Sequence, residues 1–165
     1  IKKNILSQIK LVLTDIDGVL TDGGMYYSKE GEHMKKFNTK DGMAVELLKS
    51  INIKTIFITR ENSKIVKKRV KKIAIVDLYS GIFDKKNILT KILVKYNVKK
   101  DEIAYIGDDV NDIEIMKVVG FSATPLDGNF EVKKISDYTC NVKGGEGAFR
   151  EMADLILKLK KINNL

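Results

Sequence analysis

Short apolar runs rich in β-branched residues alternate along this sequence with segments of helical periodicity. The runs predict strands, and the amphipathic segments between them predict helices. The predicted strands are residues 9–14, 54–59, 75–78, 103–106, 121–124 and 138–142, and the predicted helices are 41–51, 63–73, 85–96, 112–119 and 149–162. This alternation predicts an α/β fold, a doubly wound parallel sheet with helices on both faces and ligands bound beyond the carboxyl ends of its strands.

Residues 23–38 interrupt the alternation. Two short apolar runs, 25–27 and 34–37, flank the polar sequence Ser-Lys-Glu-Gly-Glu, so we expect a β-hairpin directly after the first strand. Such a hairpin would project over the ligand-binding edge and act as a lid or as a contact between subunits. A chain of 165 residues without repeats or linkers is in the usual range for one domain, and we expect a single domain over 1–165.

Composition excludes several classes of protein. Cys140 is the one cysteine, so no intrachain disulfide can form, and residues 1–10 lack the continuous apolar run of a secretory signal. Lysines interrupt every hydrophobic stretch, whereas a membrane-spanning helix needs roughly 18 consecutive apolar residues. We therefore expect a cytoplasmic protein with no membrane partner.

The formal net charge of +8 raises the question of nucleic acid binding. The lysines are spread along the whole chain, and only residues 67–72 form a dense basic run, which also fits one face of a helix. A nucleic-acid-binding surface would concentrate charge and interleave aromatic residues. We expect no nucleic acid partner, and a positive field that attracts a small anionic substrate.

Asp15 and Asp17 follow an apolar run and precede Gly18, at the end of the first predicted strand. A spacing of two places both side chains on the same side of an extended backbone, and a glycine lets the chain turn sharply beside a ligand. The pattern alone also fits an acidic loop with no function. Its position at the carboxyl end of a parallel strand favours a catalytic role.

Further carboxylates follow the predicted strand 103–106, in the sequence Gly-Asp108-Asp109-x-x-Asp112. Acids crowded at one edge of a sheet repel one another unless a cation neutralises them, and Mg²⁺ prefers oxygen ligands. The sequence therefore predicts a Mg²⁺ site. The chain has one histidine and one cysteine, so nothing indicates a softer metal.

Two further residues could contact a phosphate bound beside Asp15. Thr59 ends the predicted strand 54–59 and offers a hydroxyl donor. Lys85 begins a predicted helix and offers a point charge, although in so lysine-rich a chain this match is weak on its own.

These pieces in this order resemble the haloacid dehalogenase superfamily of phosphotransferases. The resemblance covers nearly the whole chain and implies that Asp15 attacks phosphorus while Asp17 protonates the leaving alkoxide and later activates water. It implies that Mg²⁺ is held by Asp15, the Asp17 carbonyl and Asp108, and that Thr59 and Lys85 bind the phosphoryl group. These roles are chemically consistent, because a carboxylate nucleophile divides hydrolysis into two easier steps.

Supporting roles follow for three more residues. Gly18 lets the chain bend beside the ligand, and Asp109 and Asp112 are expected to orient Lys85 or metal-bound waters. Most members of the superfamily insert a large cap domain, but only the short predicted hairpin follows the first motif here. The chain resembles capless members, whose open sites need contacts from a neighbouring subunit.

Within that group, four segments resemble the 3-deoxy-ulosonate phosphate phosphatases. They are Asp-Gly-Val-Leu-Thr-Asp-Gly at 17–23, Lys-Phe-Asn-Thr-Lys-Asp-Gly at 36–42, Val66-x-x-Arg69, and Gly-Gly-Glu-Gly-Ala-Phe-Arg-Glu at 144–151. The resemblance implies a phosphorylated sugar acid as substrate and a homotetramer whose hairpins pack together at its centre. Arg69 resembles an arginine that is presented to the substrate of a neighbour.

The eight- and nine-carbon members of this family differ after the strand-ending threonine. Octulosonate enzymes typically have Thr-Gly-Arg and nonulosonate enzymes Thr-Gly-Glu, whereas this chain has Thr59-Arg60-Glu61. Lys72 and the sequence Gly-Gly-Glu-Gly also resemble the nonulosonate enzymes, although eleven helical residues span about 16 Å and should keep Lys72 from joining Glu61 on one substrate. We expect Glu61, Arg69 and Lys72 to bind substrate, with a nonulosonate 9-phosphate slightly favoured over 3-deoxy-D-manno-octulosonate 8-phosphate.

Three alternatives remain open from the sequence. The chain could be a broad phosphatase for sugar phosphates or nucleotides, or a non-catalytic oligomerisation module that works with a sugar-acid cytidylyltransferase. A receiver domain also takes phosphate on an aspartate beside Mg²⁺, but it would leave Asp17 without a purpose.

Overall fold

A parallel sheet of six strands forms the centre of the structure, a computed structural model that describes residues 3–73 and 77–162. The strands are β1 (Leu11–Thr14), β2 (Tyr26–Ser28), β3 (Gly31–Met34), β4 (Lys54–Ile58), β5 (Asp77–Tyr79), β6 (Ile103–Ile106), β7 (Phe121–Thr124) and β8 (Tyr138–Thr139). The helices are α1 (Lys3–Leu6), α2 (Thr39–Ser50), α3 (Lys64–Lys72), α4 (Lys85–Tyr96), α5 (Ile113–Met116), α6 (Phe130–Ile135) and α7 (Ala148–Ile162). Short 3₁₀ turns cover Lys100–Glu102 and Val110–Asp112.

The strand order is β5-β4-β1-β6-β7-β8, and β2 and β3 form a separate antiparallel pair. Strand β1 lies between β4 and β6, with Thr14 level with Phe57 on one side and with Ile106 on the other. The chain therefore reverses its direction of travel across the sheet at β1, which is the place where open α/β sheets bind ligands. The predicted doubly wound α/β fold is confirmed.

Side chains of the central strands alternate between two hydrophobic clusters, one on each face of the sheet. On β1, Val12 joins the cluster formed with α2 and α7, while Leu11 and Leu13 join the cluster formed with α4 and α5. All three side chains are fully buried or nearly so. This burial on both faces explains why Leu11, Val12 and Leu13 are all apolar.

Helix α4 starts at Lys85 because Asp84 caps it. The Asp84 carboxylate accepts hydrogen bonds from the backbone N–H groups of Lys86 and Asn87, both at 3.1 Å. At the other end, Asn97 adopts a left-handed conformation with φ of 50° and terminates the helix. The observed bounds coincide with the prediction, and Lys85 is held at the first helical position.

The hairpin is present, but its second strand differs from the prediction. Strand β3 covers Gly31–Met34 rather than 34–37, and Gly31 has φ of +110° directly after the turn. The prediction of 34–37 is wrong because Lys35 turns inward to an ion pair, while Phe37 forms only an isolated bridge with Thr21. Tertiary electrostatics decide this segment, and hydrophobic periodicity does not register them.

Other predicted bounds shift by a few residues. The predicted helix 112–119 divides into the 3₁₀ turn at Val110–Asp112 and the short helix α5, because Asp112 turns its side chain back to nearby backbone N–H groups. The predicted strand 75–78 begins outside the described residues, which resume at β5. Helices α1 and α6 were not predicted from the sequence. That one domain covers the whole chain stays a prediction.

Candidate active site

The carboxyl ends of β1, β4 and β6 open into a cavity of about 270 Å³. Its walls come from three loops that the sheet brings together although they are far apart in the sequence. The lining residues are Asp15, Asp17, Gly18, Gly23, Thr59, Arg60, Glu61, Asp108, Asp109 and Asn111. The structure thus brings seven of the predicted site residues to one cavity: Asp15, Asp17, Gly18, Thr59, Glu61, Asp108 and Asp109.

Asp15 is buried at the end of β1 and is 6% exposed. Its Oδ2 lies 2.8 Å from Lys85 Nζ, and its Oδ1 accepts a hydrogen bond from the Ile16 N–H at 2.7 Å. Burial raises the pKa of the Asp15 carboxyl to about 7, the charge of Asp112 adds to the effect, and Lys85 opposes it. The lysine therefore supplies the positive charge that favours the ionised carboxylate.

Asp112 is the second ion-pair partner of Lys85. Both residues are buried, and Asp112 Oδ1 accepts hydrogen bonds from Lys85 Nζ at 2.7 Å and from the Tyr105 hydroxyl at 2.5 Å. Its Oδ2 accepts from the Asp108 N–H at 3.0 Å. Burial alone would lower the pKa of Lys85, but the charges of Asp15 and Asp112 raise it above its usual value. Lys85 is thus a fixed cation between two carboxylates.

Asp108 approaches the loop after β1 very closely. A Cβ atom on Gly18, which has φ of +84°, would lie 2.0 Å from Asp108 Oδ2, and a Cβ on Gly144 would lie 1.9 Å from the Gly18 carbonyl oxygen. Only glycine fits at these two positions without displacing a neighbour. The absence of side chains there lets the loops from β1 and β6 meet.

One carboxylate oxygen from each of Asp15, Asp108 and Asp112 lies within 4.8 Å of the other two. Burial raises the pKa of Asp108 to about 8, and the charges of Asp15 and Asp112 add to the rise. Crowded hard oxygen donors of this kind suit a divalent cation such as Mg²⁺. Because both oxygens of Asp112 already accept hydrogen bonds, Asp15 and Asp108 are the better placed ligands.

The two carboxylate oxygens of Asp17 have different surroundings. Oδ1 lies 2.5 Å from Lys35 Nζ and 3.5 Å from the Thr21 hydroxyl. Oδ2 is buried and has no hydrogen-bond partner among the described residues. Asp17 itself is half-buried and lines the cavity, so its unpartnered oxygen is the one that remains for a ligand.

Thr59 and the two residues after it form the wall on the β4 side. The Thr59 N–H donates to the Tyr79 carbonyl at 2.9 Å, and the Thr59 hydroxyl accepts from the Glu61 N–H at 3.1 Å. Glu61 is exposed at the rim. The Arg60 guanidinium stacks 5.2 Å from the ring centre of Phe83, which holds a positive charge at the mouth of the cavity.

The other two predicted substrate-binding residues do not line this cavity. Arg69 lies on α3 and stacks over the Phe37 ring at 5.6 Å, with its guanidinium donating to the Asn38 carbonyl at 3.3 Å. Lys72 is exposed at the last residue of α3, eight positions after the first, which is about 12 Å along the helix. Roles for both in binding the substrate of a neighbour stay predictions.

Several residues of the site were not predicted from the sequence. Lys35 and Tyr105 contact the acids directly, and Gly23 and Asn111 line the cavity. Tyr105 sits within an apolar strand, where nothing marks its hydroxyl as a donor to Asp112. Lys35 is one of 30 lysines and arginines, and only the folded hairpin sets it apart.

A family model described as haloacid dehalogenase-like hydrolase matches residues 19–152. The 3-deoxy-D-manno-octulosonate 8-phosphate phosphatase of Haemophilus influenzae is 35% identical over 153 residues, which are 93% of this chain and 85% of that protein. The enzyme of the same name from Salmonella typhi is 36% identical over 149 residues, which are 90% of this chain and 79% of that protein.

Solved structures agree with this similarity. The crystal structure of the Moraxella catarrhalis enzyme of the same name, in complex with a magnesium ion, a phosphate ion and a KDO molecule, matches with a TM-score of 0.93. The two chains are 33% identical, and the match covers 98% of this chain and 93% of that one.

The chain therefore belongs to the haloacid dehalogenase-like hydrolases. Its curated relatives are phosphatases, and it is accordingly a phosphoric monoester hydrolase. Between β1 and β4 the chain forms only the hairpin and α2, so no cap domain follows the first motif. The predicted enzyme class and the resemblance to capless members are confirmed. None of the helices within 3–73 and 77–162 has the length and apolar character needed to cross a membrane.

Proposed function

We propose that this chain is a Mg²⁺-dependent phosphatase that hydrolyses a phosphorylated 3-deoxy-ulosonic acid through an aspartyl-phosphate intermediate. The observation that carries the proposal is the ion pair of Asp15 and Lys85 at the floor of the cavity, with Asp17 two residues away. A buried carboxylate with a fixed cation beside it is suited to attack phosphorus, and a second carboxylate is suited to proton transfer.

The chemistry takes place in two steps. A carboxylate oxygen of Asp15 forms a bond to phosphorus while the bond from phosphorus to the sugar oxygen breaks, and Asp17 gives its proton to that leaving oxygen. Water then attacks the phosphoryl group, Asp17 takes a proton from the water, and Asp15 is released with inorganic phosphate. Lys85 holds Asp15 in place throughout, and the Thr59 hydroxyl is proposed to donate to a phosphate oxygen.

Mg²⁺ would be held by Asp15, Asp108 and the Asp17 carbonyl, and when bound it neutralises charge on the transferring phosphoryl group. Asp112 is proposed to act through Lys85, which it holds at 2.7 Å. Asp109 is exposed at the rim, where it caps the 3₁₀ turn that follows and accepts a hydrogen bond from Asn129. The magnesium ion in the Moraxella catarrhalis structure supports this choice of metal.

We propose 3-deoxy-D-manno-octulosonate 8-phosphate as the substrate, because the curated relatives described above carry that activity in their names. A nonulosonate 9-phosphate is the second candidate. It is favoured by Glu61, which lines the cavity next to Arg60 at the position where the two groups of enzymes differ. The slight preference for nine carbons drawn from the sequence is not confirmed.

We propose a homotetramer because the hairpin exposes several large apolar side chains. Met25, Tyr27 and Met34 are 55%, 62% and 50% exposed, and several exposed large apolar side chains on one short hairpin suit a subunit contact. A neighbouring subunit could then complete the open cavity, with Arg69 presented across the contact. A cytoplasmic location is part of the same proposal.

The test is a phosphate-release panel that compares the eight-carbon 8-phosphate, nine-carbon 9-phosphates and hexose phosphates at saturating Mg²⁺. We expect kcat/KM to be highest for one ulosonate phosphate. Similar values on all substrates would instead identify a broad phosphatase. Asp15→Asn is the companion variant, and we expect it to fold and lose turnover; undiminished turnover would contradict the nucleophile assignment.

A further inference from the structure

Lys35 is a buried cation that the chemistry above does not use. Its side chain is 1% exposed, and its Nζ lies 2.5 Å from Asp17 Oδ1 and 3.0 Å from Glu32 Oε1. Lysines are almost never fully buried unless they are paired, because removing the charge from water is unfavourable. Here both partners are carboxylates, one of them in the cavity and the other on the hairpin.

The partner on the hairpin is itself held in place. Glu32 also accepts a hydrogen bond from the Ser63 hydroxyl, and Ser63 is the N-cap of α3. The chain of contacts Ser63–Glu32–Lys35–Asp17 thus connects α3, the hairpin and the loop after β1. A side chain held by two anchored partners has little freedom to reorient, so the position of Lys35 Nζ is set by the fold.

This contact makes the two oxygens of Asp17 unequal. Oδ1 accepts from Lys35, whereas Oδ2 is buried without a partner among the described residues. An unpaired buried carboxylate oxygen is unfavourable in a resting protein and calls for an explanation. A group on the substrate that hydrogen-bonds to Oδ2 would provide one.

We propose that Lys35 is a positioning residue that holds Asp17 by Oδ1 and so reserves Oδ2 for proton transfer. The inference rests on the proposed function, in which Asp17 protonates the leaving oxygen. The proton on Oδ2 passes to the sugar oxygen as its bond to phosphorus breaks, and Oδ2 later takes a proton from water. Lys35 keeps its own protons in both steps.

Lys35 could instead have a purely structural role and only fasten the hairpin to the loop after β1. The positioning role and the structural role predict different dependences of the reaction rate on the leaving group. A sugar alkoxide is a poor leaving group and needs a proton, whereas 4-nitrophenolate leaves readily without one. General acid catalysis is worth about 10²-fold to 10⁴-fold. Loss of positioning should therefore slow release of an alcohol much more than release of 4-nitrophenol.

The experiment measures leaving-group release in a single turnover with enzyme in excess, so that the later hydrolysis of the aspartyl phosphate does not contribute. For Lys35→Met we expect sugar release to fall by on the order of 100-fold and 4-nitrophenol release to change by less than about threefold. The matched control is Lys36→Met, at the exposed lysine next in the chain, which should leave both rates unchanged. An equal loss on both substrates, or no loss on either, would overturn the proposal.

A double mutant separates action through Asp17 from any independent effect. In an Asp17→Asn background, Lys35→Met should slow sugar release no further, whereas independent effects would multiply. If circular dichroism shows that Lys35→Met does not fold, Lys35→Arg decides, because it keeps the buried charge but displaces its donor atoms. A ratio of sugar to 4-nitrophenol release below that of the wild type supports the proposal, and an unchanged ratio overturns it.

The outcomes also separate this inference from the proposed function. If the wild type releases no sugar from any ulosonate phosphate, or if Asp15→Asn remains active, the proposed function fails and the inference fails with it. If the wild type is active, Asp15→Asn is inactive and Lys35→Met slows both leaving groups equally, only the role of Lys35 is wrong.

Discussion

Asp112 shows how much of the site depends on one buried residue that lies behind the cavity. It accepts hydrogen bonds from Lys85, from Tyr105 and from the Asp108 N–H, and it is fully buried. With the Asp109 N–H at 3.4 Å, four donors from α4, from β6 and from the loop after β6 converge on this one carboxylate. Its spacing from Asp108 could be read from the sequence, but its partner Tyr105 could not, because a tyrosine in an apolar strand looks like core.

Removing this carboxylate should destabilise the fold. Asp112→Ala leaves the buried Lys85 charge with only Asp15 as a partner, and it leaves the Tyr105 hydroxyl without its acceptor. Removing one member of a buried ion pair lowers the free energy of unfolding by about 3 to 5 kcal/mol. Urea denaturation measures the change, with Asp101→Ala on the exposed surface as the control. Equal stability of the two variants would show that Asp112 is not needed to hold Lys85.

Asp41 is a second buried carboxyl, away from the cavity. It is 4% exposed, Oδ1 accepts from the Arg150 N–H at 3.0 Å, and Oδ2 has no hydrogen-bond partner among the described residues. Burial raises the pKa of Asp41 to about 6, against the opposing charges of Arg69 and Arg150. The unfolded chain therefore loses this proton at a lower pH than the folded protein does.

A pH dependence of stability follows. As pH rises from about 4 to about 6, the folded state holds the Asp41 proton longer, so this group's contribution to stability falls by about 3 kcal/mol and stays low above that window. Asn at this position has no proton to lose. We expect the stability of Asp41→Asn relative to the wild type to increase between about pH 4 and 6, as measured by denaturant unfolding. Asp101→Asn on the exposed surface is the control for removal of a carboxylate. A difference for Asp41→Asn that is flat with pH would contradict the assignment.

Single elements were predictable where local sequence signals decide them. Strands β6 and β7 and helix α4 have the predicted bounds, because a glycine follows the apolar run of β6 and Asp84 caps α4. The register of the hairpin was not predictable, because it depends on the ion pair of Lys35 with Asp17. Local signals therefore placed Asp15, Thr59 and Lys85 correctly at the ends of their elements.

The cap of α4 can be tested by itself. Asp84→Ala removes the acceptor for two backbone N–H groups and should lower the free energy of unfolding by about 1 kcal/mol. Because Lys85 is the first helical residue, we also expect a lower kcat. Asp84→Ser keeps a capping oxygen and should recover most of both losses. If alanine and serine behave alike, the cap does not position Lys85.

At the scale of the whole molecule, the sheet brings together Asp15 and Asp108, which lie about 90 residues apart in the chain. Family resemblance predicted this convergence, and the fold explains it, since β1 and β6 are neighbours. The length of the predicted helix already indicated that Lys72 lies far from Glu61. The sequence could not show that Arg69 lies outside the cavity, because helix direction relative to the sheet is a tertiary property.

Metal dependence is the first prediction at this scale. A chelator should abolish turnover and Mg²⁺ should restore it, because Asp15 and Asp108 otherwise repel each other beside the substrate phosphate. Bound Mg²⁺ should also raise the melting temperature, since it binds only the folded state. The increase should be smaller in Asp108→Asn and unchanged in the exposed control Asp101→Asn. Full activity in excess chelator would contradict the metal site.

The second prediction at the scale of the whole molecule concerns assembly into a tetramer. Met34→Glu places a charge on the exposed apolar hairpin and should shift the particle from a tetramer to smaller species, as measured by light scattering after size exclusion. Val94→Glu on α4 is the matched control, because Val94 is 80% exposed but lies away from the hairpin. A monomeric wild type would rule out sites completed by a neighbour.

The backbone contacts around Gly18 bear on how proteins built on this fold can diverge. One methyl group on Gly18 would collide with Asp108, and one on Gly144 would collide with the Gly18 carbonyl. Substitution of either glycine would therefore displace a neighbour in or beside the loop after β1. Arg60 and Glu61, on the β4 side of the cavity, both have exposed side chains. We therefore expect changes of substrate to arise on the β4 side of the cavity, while the proposed reaction at Asp15 stays unchanged.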